Sequence, residues 1–180
     1  YPLELFEPGN LPQLLSSIAG NIFGLLEISA LRILDIDFPE SYVKSFPGPF
    51  WGIDGYRKIT GIIDRPLTGS IIKPKLGLSF ADHVNAAMDV FQAGVDLVKD
   101  DENLTSQTFN SFFQRVDTCT KRMKDAGFLE IGGEKIYAYN ITASYDEMLK
   151  RAEYVVEKKG NCLMIDILTS GFSAVSGIRN

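Results

Sequence analysis

Basic excess, cysteine, histidine and long apolar runs are all scarce in this chain, and each scarcity removes a class of function. The 180 residues carry 18 Lys and Arg against 23 Asp and Glu, a formal net charge of −5 with a pI near 4.9. Nucleic acids and anionic membrane surfaces attract basic patches, so no nucleic-acid or membrane partner is expected. Phosphorylated small molecules stay open, because they need only a local group of cations and backbone amides. Cys119 and Cys162 lack C-x-x-C spacing and lie within apolar helical and strand patterns, so they read as buried thiols in a reducing compartment. No apolar run is long enough to span a bilayer, and Tyr1-Pro2-Leu3-Glu4 has neither the basic nor the apolar stretch of a signal peptide. The expected location is cytoplasmic. His83, the single histidine, lies on a helix beside the apolar stripe and is expected at the surface or partly packed.

What is present is a globular composition with a clear rhythm. Hydrophobic residues make up 45% of the chain and charged residues 23%, enough for one full domain or two small ones with real cores. From about Arg65 onward, strands and helices alternate. Gly69 to Lys73 reads as a strand, and Leu78-Ser79 lead into a helix with Val84, Ala87, Met88 and Phe91 on one face until Gly94 stops it. Val95 to Lys99 is the next strand, followed by a longer helix with Phe109, Phe112, Phe113, Val116, Cys119 and Met123 on one face. A third strand is expected over Lys135 to Ile141. Ser144-Tyr145-Asp146-Glu147 then reads as a capping box opening a helix that ends at Lys158-Lys159-Gly160, and a fourth strand runs from Cys162 to Leu168. Such alternation calls for an α/β fold with parallel strands and helical crossovers.

The first third differs. Asn10, Pro12 and Gly20 bracket a short helix with Leu11, Leu14, Leu15 and Ile18, and Leu31 to Phe38 reads as a strand with Asp35 and Asp37 on its wetter face. Pro39, Pro47 and Pro49 break up the next stretch of chain, as in the tail of an α+β domain and a connector. No low-complexity tract interrupts the chain.

Two charged motifs carry the chemistry. In Val98-Lys99-Asp100-Asp101-Glu102-Asn103, side chains alternate along the strand, so Lys99 and Asp101 share a direction while Glu102 enters the following loop. Two carboxylates are hard oxygen ligands for a divalent cation such as Mg²⁺, and a lysine that captured CO₂ as a carbamate would add a third anionic oxygen. A solvated acidic turn with an ion-paired lysine is the alternative for that run alone. The second motif, Lys73-Pro74-Lys75, ends the first strand and places two ammonium groups at period-two spacing. In parallel α/β folds active sites gather at the carboxyl ends of the strands, where Lys73, Lys75 and the Lys99 group would converge to move protons or hold phosphate. Two ordinary surface lysines are the alternative.

Gly69-Ser70-Ile71-Ile72-Lys73-Pro74-Lys75-Leu76-Gly77-Leu78-Ser79 and Gly94-Val95-Asp96-Leu97-Val98-Lys99-Asp100-Asp101-Glu102-Asn103 together resemble the large subunit of ribulose-1,5-bisphosphate carboxylase/oxygenase, RuBisCO. The likeness extends to Tyr1-Pro2-Leu3-Glu4-Leu5-Phe6-Glu7, to Ala19-Gly20-Asn21-Ile22-Phe23-Gly24 and to Tyr139-Asn140-Ile141-Thr142-Ala143. It also takes in 164–174, and in these last two segments, 139–143 and 164–174, the chain most resembles the archaeal form III branch. The resemblance implies part of a TIM (β/α)8 barrel, about its first four βα units, preceded by the end of an α+β N-terminal domain. Residues 1–48 would be the C-terminal part of that domain, and 49–180 the connector and a truncated first half of the barrel.

The resemblance also implies roles. Lys99 would carry the CO₂-derived carbamate and, with Asp101 and Glu102, hold one Mg²⁺ per active site. Lys73 would take part in the proton abstraction that makes the enediolate of ribulose-1,5-bisphosphate, Lys75 would bind substrate, and Asn21 would touch substrate in a neighbouring subunit. The expected partners are therefore ribulose-1,5-bisphosphate, CO₂ or O₂, and further copies of the chain in a homodimer or larger homo-oligomer with shared active sites. Ile71 departs from the pattern, standing where many members carry a substrate-contacting threonine. Four strands are visible where a closed barrel needs about eight, and residues 173–180 read as the start of a helix, so a fragment inactive alone is expected. The alternatives are a RuBisCO-like 2,3-diketo-5-methylthiopentyl-1-phosphate enolase, which Asn21 and Lys75 disfavour, and a non-catalytic fragment that self-associates through open strand edges.

Overall fold

The computed structural model describes the backbone of residues 1–180 and every side chain except that of Asn21. In chain order its helices are α1 (Leu11–Ala19), α2 (Glu40–Val43), α3 (Gly52–Thr60), α4 (Phe80–Gln92), α5 (Phe112–Asp125), α6 (Tyr145–Glu157), α7 (Ile167–Ser170) and α8 (Phe172–Arg179). Its strands are β1 (Gly69–Ile71), β2 (Leu97–Lys99), β3 (Ile136–Asn140) and β4 (Cys162–Met164). The chain divides into two compact units, Tyr1–Phe50 with Gly171–Asn180, and Trp51–Ser170.

In the first unit α1 begins where the residue types demand. The Asn10 side chain accepts from the Gln13 amide at 3.0 Å and Pro12 occupies the first turn, where its missing N–H costs nothing. Leu14 is buried on this helix, and Tyr42 on α2 is buried among the rings of Phe6, Phe38 and Phe46. The expected strand over Leu31–Phe38 is not formed among the described residues. A strand exists through the partner that satisfies its amides and carbonyls, and this segment has no ladder; the Ile36 amide instead turns to the Asp35 carboxylate at 2.8 Å. Helix α8 does follow the expectation, and Arg179 on it donates to the Gly48 carbonyl at 2.8 Å.

The second unit is an α/β layer built on a four-stranded sheet in the order β1-β2-β3-β4, every pair parallel. The register brings Ile71, Lys99, Ala138 and Cys162 side by side. Strand β3 is buried along its whole length, as expected of a central parallel strand covered on both faces. The strands are shorter than their apolar runs, β4 most of all. After Met164 the chain turns into α7 because Asp166 captures it: its carboxylate accepts from the Leu168 amide at 3.1 Å and its carbonyl accepts from the Ser170 amide at 3.0 Å. An aspartate at a helix start outcompetes continued strand pairing.

The helices show where periodicity succeeds and where it misleads. Helix α4 buries Val84, Ala87, Met88 and Phe91 as expected, each large apolar side chain contributing about 1.5–3 kcal/mol. It also buries His83, which is 2% exposed, so the surface placement expected for that histidine is corrected. Helix α5 starts only at Phe112; Phe109 precedes it, and Phe113 turns outward to stack edge-on against Tyr154. Arg115 and Thr120 take the buried positions instead. Ser144 occupies the N-cap of α6 but makes no capping bond, and Glu147 pairs with Arg151 at 3.1 Å, so the capping box is not formed. At the other end of α6 Gly160 is needed for space: a Cβ there would lie 2.5 Å from Val155 Cγ1 and 2.9 Å from a Tyr139 ring carbon.

Candidate functional site

The carboxyl ends of the strands bring the charged motifs together. Ladder pairing continues one residue past the strands: the Ile72 amide donates to the Lys99 carbonyl at 3.4 Å, and the Asp100 amide to the Ala138 carbonyl at 3.1 Å. Lys73 leaves β1 beside the loop that leaves β2, and its ammonium pairs with Asp101. Lys99, the last residue of β2, donates to Glu102 Oε1 at 2.5 Å and lies 3.4 Å from the Met164 sulfur at the end of β4. Lys75 is exposed on the loop after β1. The role expected for Asn21 lies outside the described side chains.

Electrostatics at this edge are set by the lysine–acid pairs. Asp101 is 3% exposed, and burial alone would raise its carboxyl. The Lys73 bond, the Asn103 amide at 3.0 Å and the charges of Lys73 and Lys75 outweigh that and hold it below the usual carboxylate range. Glu102 is lowered chiefly by its bond to Lys99. Among the described residues no three His, Cys, Asp or Glu side chains are grouped to hold a metal ion. The donor set nevertheless suits one hard cation on a single condition. Asp101 and Glu102 supply two carboxylates, and Lys99, already within hydrogen-bond distance of Glu102, is placed to supply the third anionic oxygen if carbamylated.

Behind this edge lies a polar cluster that the charged motifs of the sequence do not announce. Asp100 points opposite to its neighbours, into the layer between sheet and helices, and is fully buried. Its carboxylate accepts from Tyr137 Oη at 2.5 Å, from Arg115 Nε at 3.2 Å and from the Asn140 amide at 3.0 Å, with His83 Nε2 at 3.2 Å. Burial would raise its carboxyl, but the Arg115 guanidinium and the bonds from His83 and Tyr137 hold it below the usual range. Burial pushes the Tyr137 hydroxyl well up, reinforced by the Asp100 charge. One signal of the cluster is nevertheless present in the sequence. Arg115 sits one position from Val116 within an otherwise apolar helical face, and a charge there must be buried with a partner.

Comparison with known proteins identifies the family. Residues 52–180 match the family model described as ribulose bisphosphate carboxylase large chain, catalytic domain, and residues 1–42 match that of the large chain's N-terminal domain. The chain is 49% identical over 179 residues to the ribulose bisphosphate carboxylase of Methanocaldococcus jannaschii, covering 99% of this chain and 42% of the relative. Octameric ribulose-1,5-bisphosphate carboxylase/oxygenase from Pyrococcus horikoshii superposes with a TM-score of 0.91 at 44% identity, over 99% of this chain and 43% of that one. A rubisco-like protein from Burkholderia fungorum gives 0.88 at 35% identity, over 99% of this chain and 44% of that one. The chain thus spans less than half the length of the relatives it matches. With both large-chain models matched in order and such identity along nearly all its residues, the chain belongs to the ribulose bisphosphate carboxylase large-chain family.

Proposed function

We propose that the full-length protein carrying this segment is a ribulose-bisphosphate carboxylase, adding CO₂, or O₂ in competition, to ribulose-1,5-bisphosphate to give 3-phosphoglycerate in the carboxylation. The observation that carries the reading is the pairing of Lys73 with Asp101 and of Lys99 with Glu102 at adjacent strand ends. Parallel strands in unbroken sequence order are how a (β/α)8 barrel begins, whereas doubly wound sheets reverse order at a switch point, so the sheet supports the first four units of a barrel. In this reading residues 1–48 end the N-terminal α+β domain.

The residues divide the work by position. Lys99, once carbamylated, would join Asp101 and Glu102 in holding one Mg²⁺, which supplies Lewis-acid stabilisation of negative charge building on the sugar oxygens. Carbamylation needs the neutral amine, so Lys99 would first give up its bond to Glu102 and lose one proton to solvent, and a second proton would leave the nitrogen as its bond to the CO₂ carbon forms. Lys73, once it has left Asp101 and given up a proton to become the neutral amine, would take part in moving the proton at the sugar carbon. Lys75 would bind the substrate near the reacting centre, where it adds fixed positive charge. Asn21 would complete the site in a second subunit, which a homo-oligomer like the octamer of the Pyrococcus horikoshii protein would provide.

The rubisco-like neighbour keeps one second reading in view, the 2,3-diketo-5-methylthiopentyl-1-phosphate enolase. A single assay separates them. Full-length protein given ribulose-1,5-bisphosphate, Mg²⁺ and labelled CO₂ should form acid-stable 3-phosphoglycerate, and Lys99→Ala should lose this activity together with the carbamate resonance seen with carbon-13 bicarbonate. Turnover of the diketo phosphate without carbon fixation would select the enolase, and an active enzyme without a carbamate would overturn the metal assignment.

A further inference from the structure

Asn140 ends β3 fully buried, and its side chain serves another element's backbone. Nδ2 donates to the carbonyls of Asp101 at 3.2 Å, Glu102 at 3.0 Å and Leu104 at 3.1 Å, while Oδ1 accepts from the Thr142 amide at 3.0 Å. Its own amide donates to Asp100 Oδ2 at 3.0 Å. Arg115 holds the same loop from the helix side. Its Nε donates to Asp100 at 3.2 Å, Nη2 to the Thr105 carbonyl at 2.9 Å, and Nη1 to Asn110 Oδ1 at 2.8 Å. The segment 101–105 is therefore tied through its main-chain carbonyls to β3 and α5, while the carboxylates of Asp101 and Glu102 stay free of these ties and face the lysines.

This arrangement is costly for a loop whose only task is to connect. Three carbonyls converge on a carboxamide with two N–H groups, so the donor cannot be replaced by an apolar side chain without leaving buried acceptors unmet, nor by a carboxylate without repulsion. The ties also begin at the two residues that project the carboxylates. We propose that Asn140, seated on the buried Asp100–Arg115 pair, is a positioning residue: it presets the backbone from which Asp101 and Glu102 project, and so sets how tightly the carbamylated site holds its divalent cation. The inference rests on the carbamate–metal reading above. Groups that orient metal ligands from behind change metal affinity by about 10–100-fold when lost, which is the scale expected here.

The test uses the full-length enzyme, as wild type, Asn140→Asp and Asn140→Ala. The carbamate resonance from carbon-13 bicarbonate is followed against Mg²⁺ concentration, and KM for ribulose-1,5-bisphosphate is measured at saturating Mg²⁺. Both variants should need about 10–100-fold more Mg²⁺ for half-maximal carbamate, with KM for the sugar phosphate unchanged. Hydrogen exchange of the wild type supplies a readout that does not depend on a variant folding: the Leu104 amide, which donates to the Asp101 carbonyl at 3.0 Å, should be protected before Mg²⁺ and bicarbonate are added. An unshifted Mg²⁺ dependence in a folded variant, or a Leu104 amide that becomes protected only with metal, would overturn the proposal. A wild type that never shows the carbamate would instead overturn the reading beneath it.

Discussion

Asp96 and Asp100 flank the second strand and show how differently two buried carboxylates are held. Asp96 takes both guanidinium nitrogens of Arg65, at 2.7 and 2.9 Å, together with the Thr68 amide at 2.7 Å. The Arg65 bond dominates, and with Thr68 it overcomes the effect of burial and holds the Asp96 carboxyl far below the ordinary range. A carboxyl depressed in the folded state stabilises that state above its unfolded pKa of about 3.9 and loses the contribution as pH falls through the folded value. Unfolding measured against pH should therefore show stability dropping below about pH 4 more steeply in wild type than in Asp96→Asn; parallel curves would refute the assignment. Asp100 is the harsher case. Asp100→Asn leaves Arg115 buried without its counter-charge and should cost about 3–5 kcal/mol, read as a lowered unfolding midpoint. A change below about 1 kcal/mol would mean that Tyr137 and His83 reorganise to satisfy the arginine.

At the scale of elements, Ser79 and Ser144, two of the three serine N-caps, make a controlled comparison. Ser79 accepts from the Asp82 amide at 3.1 Å and opens α4, whereas Ser144 sits at the start of α6 without a capping bond. Ser79→Ala should destabilise by about 1 kcal/mol and Ser144→Ala by much less, in paired denaturant titrations. Equal losses would show that the hydroxyl of Ser144 is bonded in solution. The same contrast explains what was legible at this scale. Both serines satisfy the sequence pattern, but Glu147 is drawn off by Arg151, whose guanidinium also donates to the Thr142 carbonyl at 3.3 Å. Helices α1, α4, α5 and α6 and the parallel alternation were readable because they follow period and alternation, whereas α2, α3 and α7 carry no such run and were not read. The ends of β4 and α5 were not, since the Asp166 amide is taken by Thr142 Oγ1 at 2.9 Å and Phe113 turns out to Tyr154, both partners distant in sequence.

At the scale of the molecule, β1 and β4 each pair on one side only within the sheet. Unpaired amides and carbonyls along a strand are a template for another chain. Leu26 is 99% exposed and Leu168 88%, and such large apolar side chains add to the tendency. The 180 residues studied alone should elute broadly and in a concentration-dependent manner, with no carboxylation above background. A sharp monomer peak with measurable carboxylation would show that the sheet edges are quiet and the site sufficient as it stands. Among the described residues no helix is long and apolar enough to cross a membrane.

The sequence by itself determined the parallel α/β alternation, the strand-end placement of Lys73, Lys99, Asp101 and Glu102, and the family resemblance, because each is written in local spacing and residue chemistry. Tertiary structure alone decided which acid meets which lysine, that His83 is buried, and that Asp100 is bonded by Arg115 and the Asn140 amide in a buried cluster. Those outcomes depend on register: pairing Ile71 with Lys99 and Lys99 with Ala138 sets which side chains of separate helices and strands meet, and no local pattern encodes that distance.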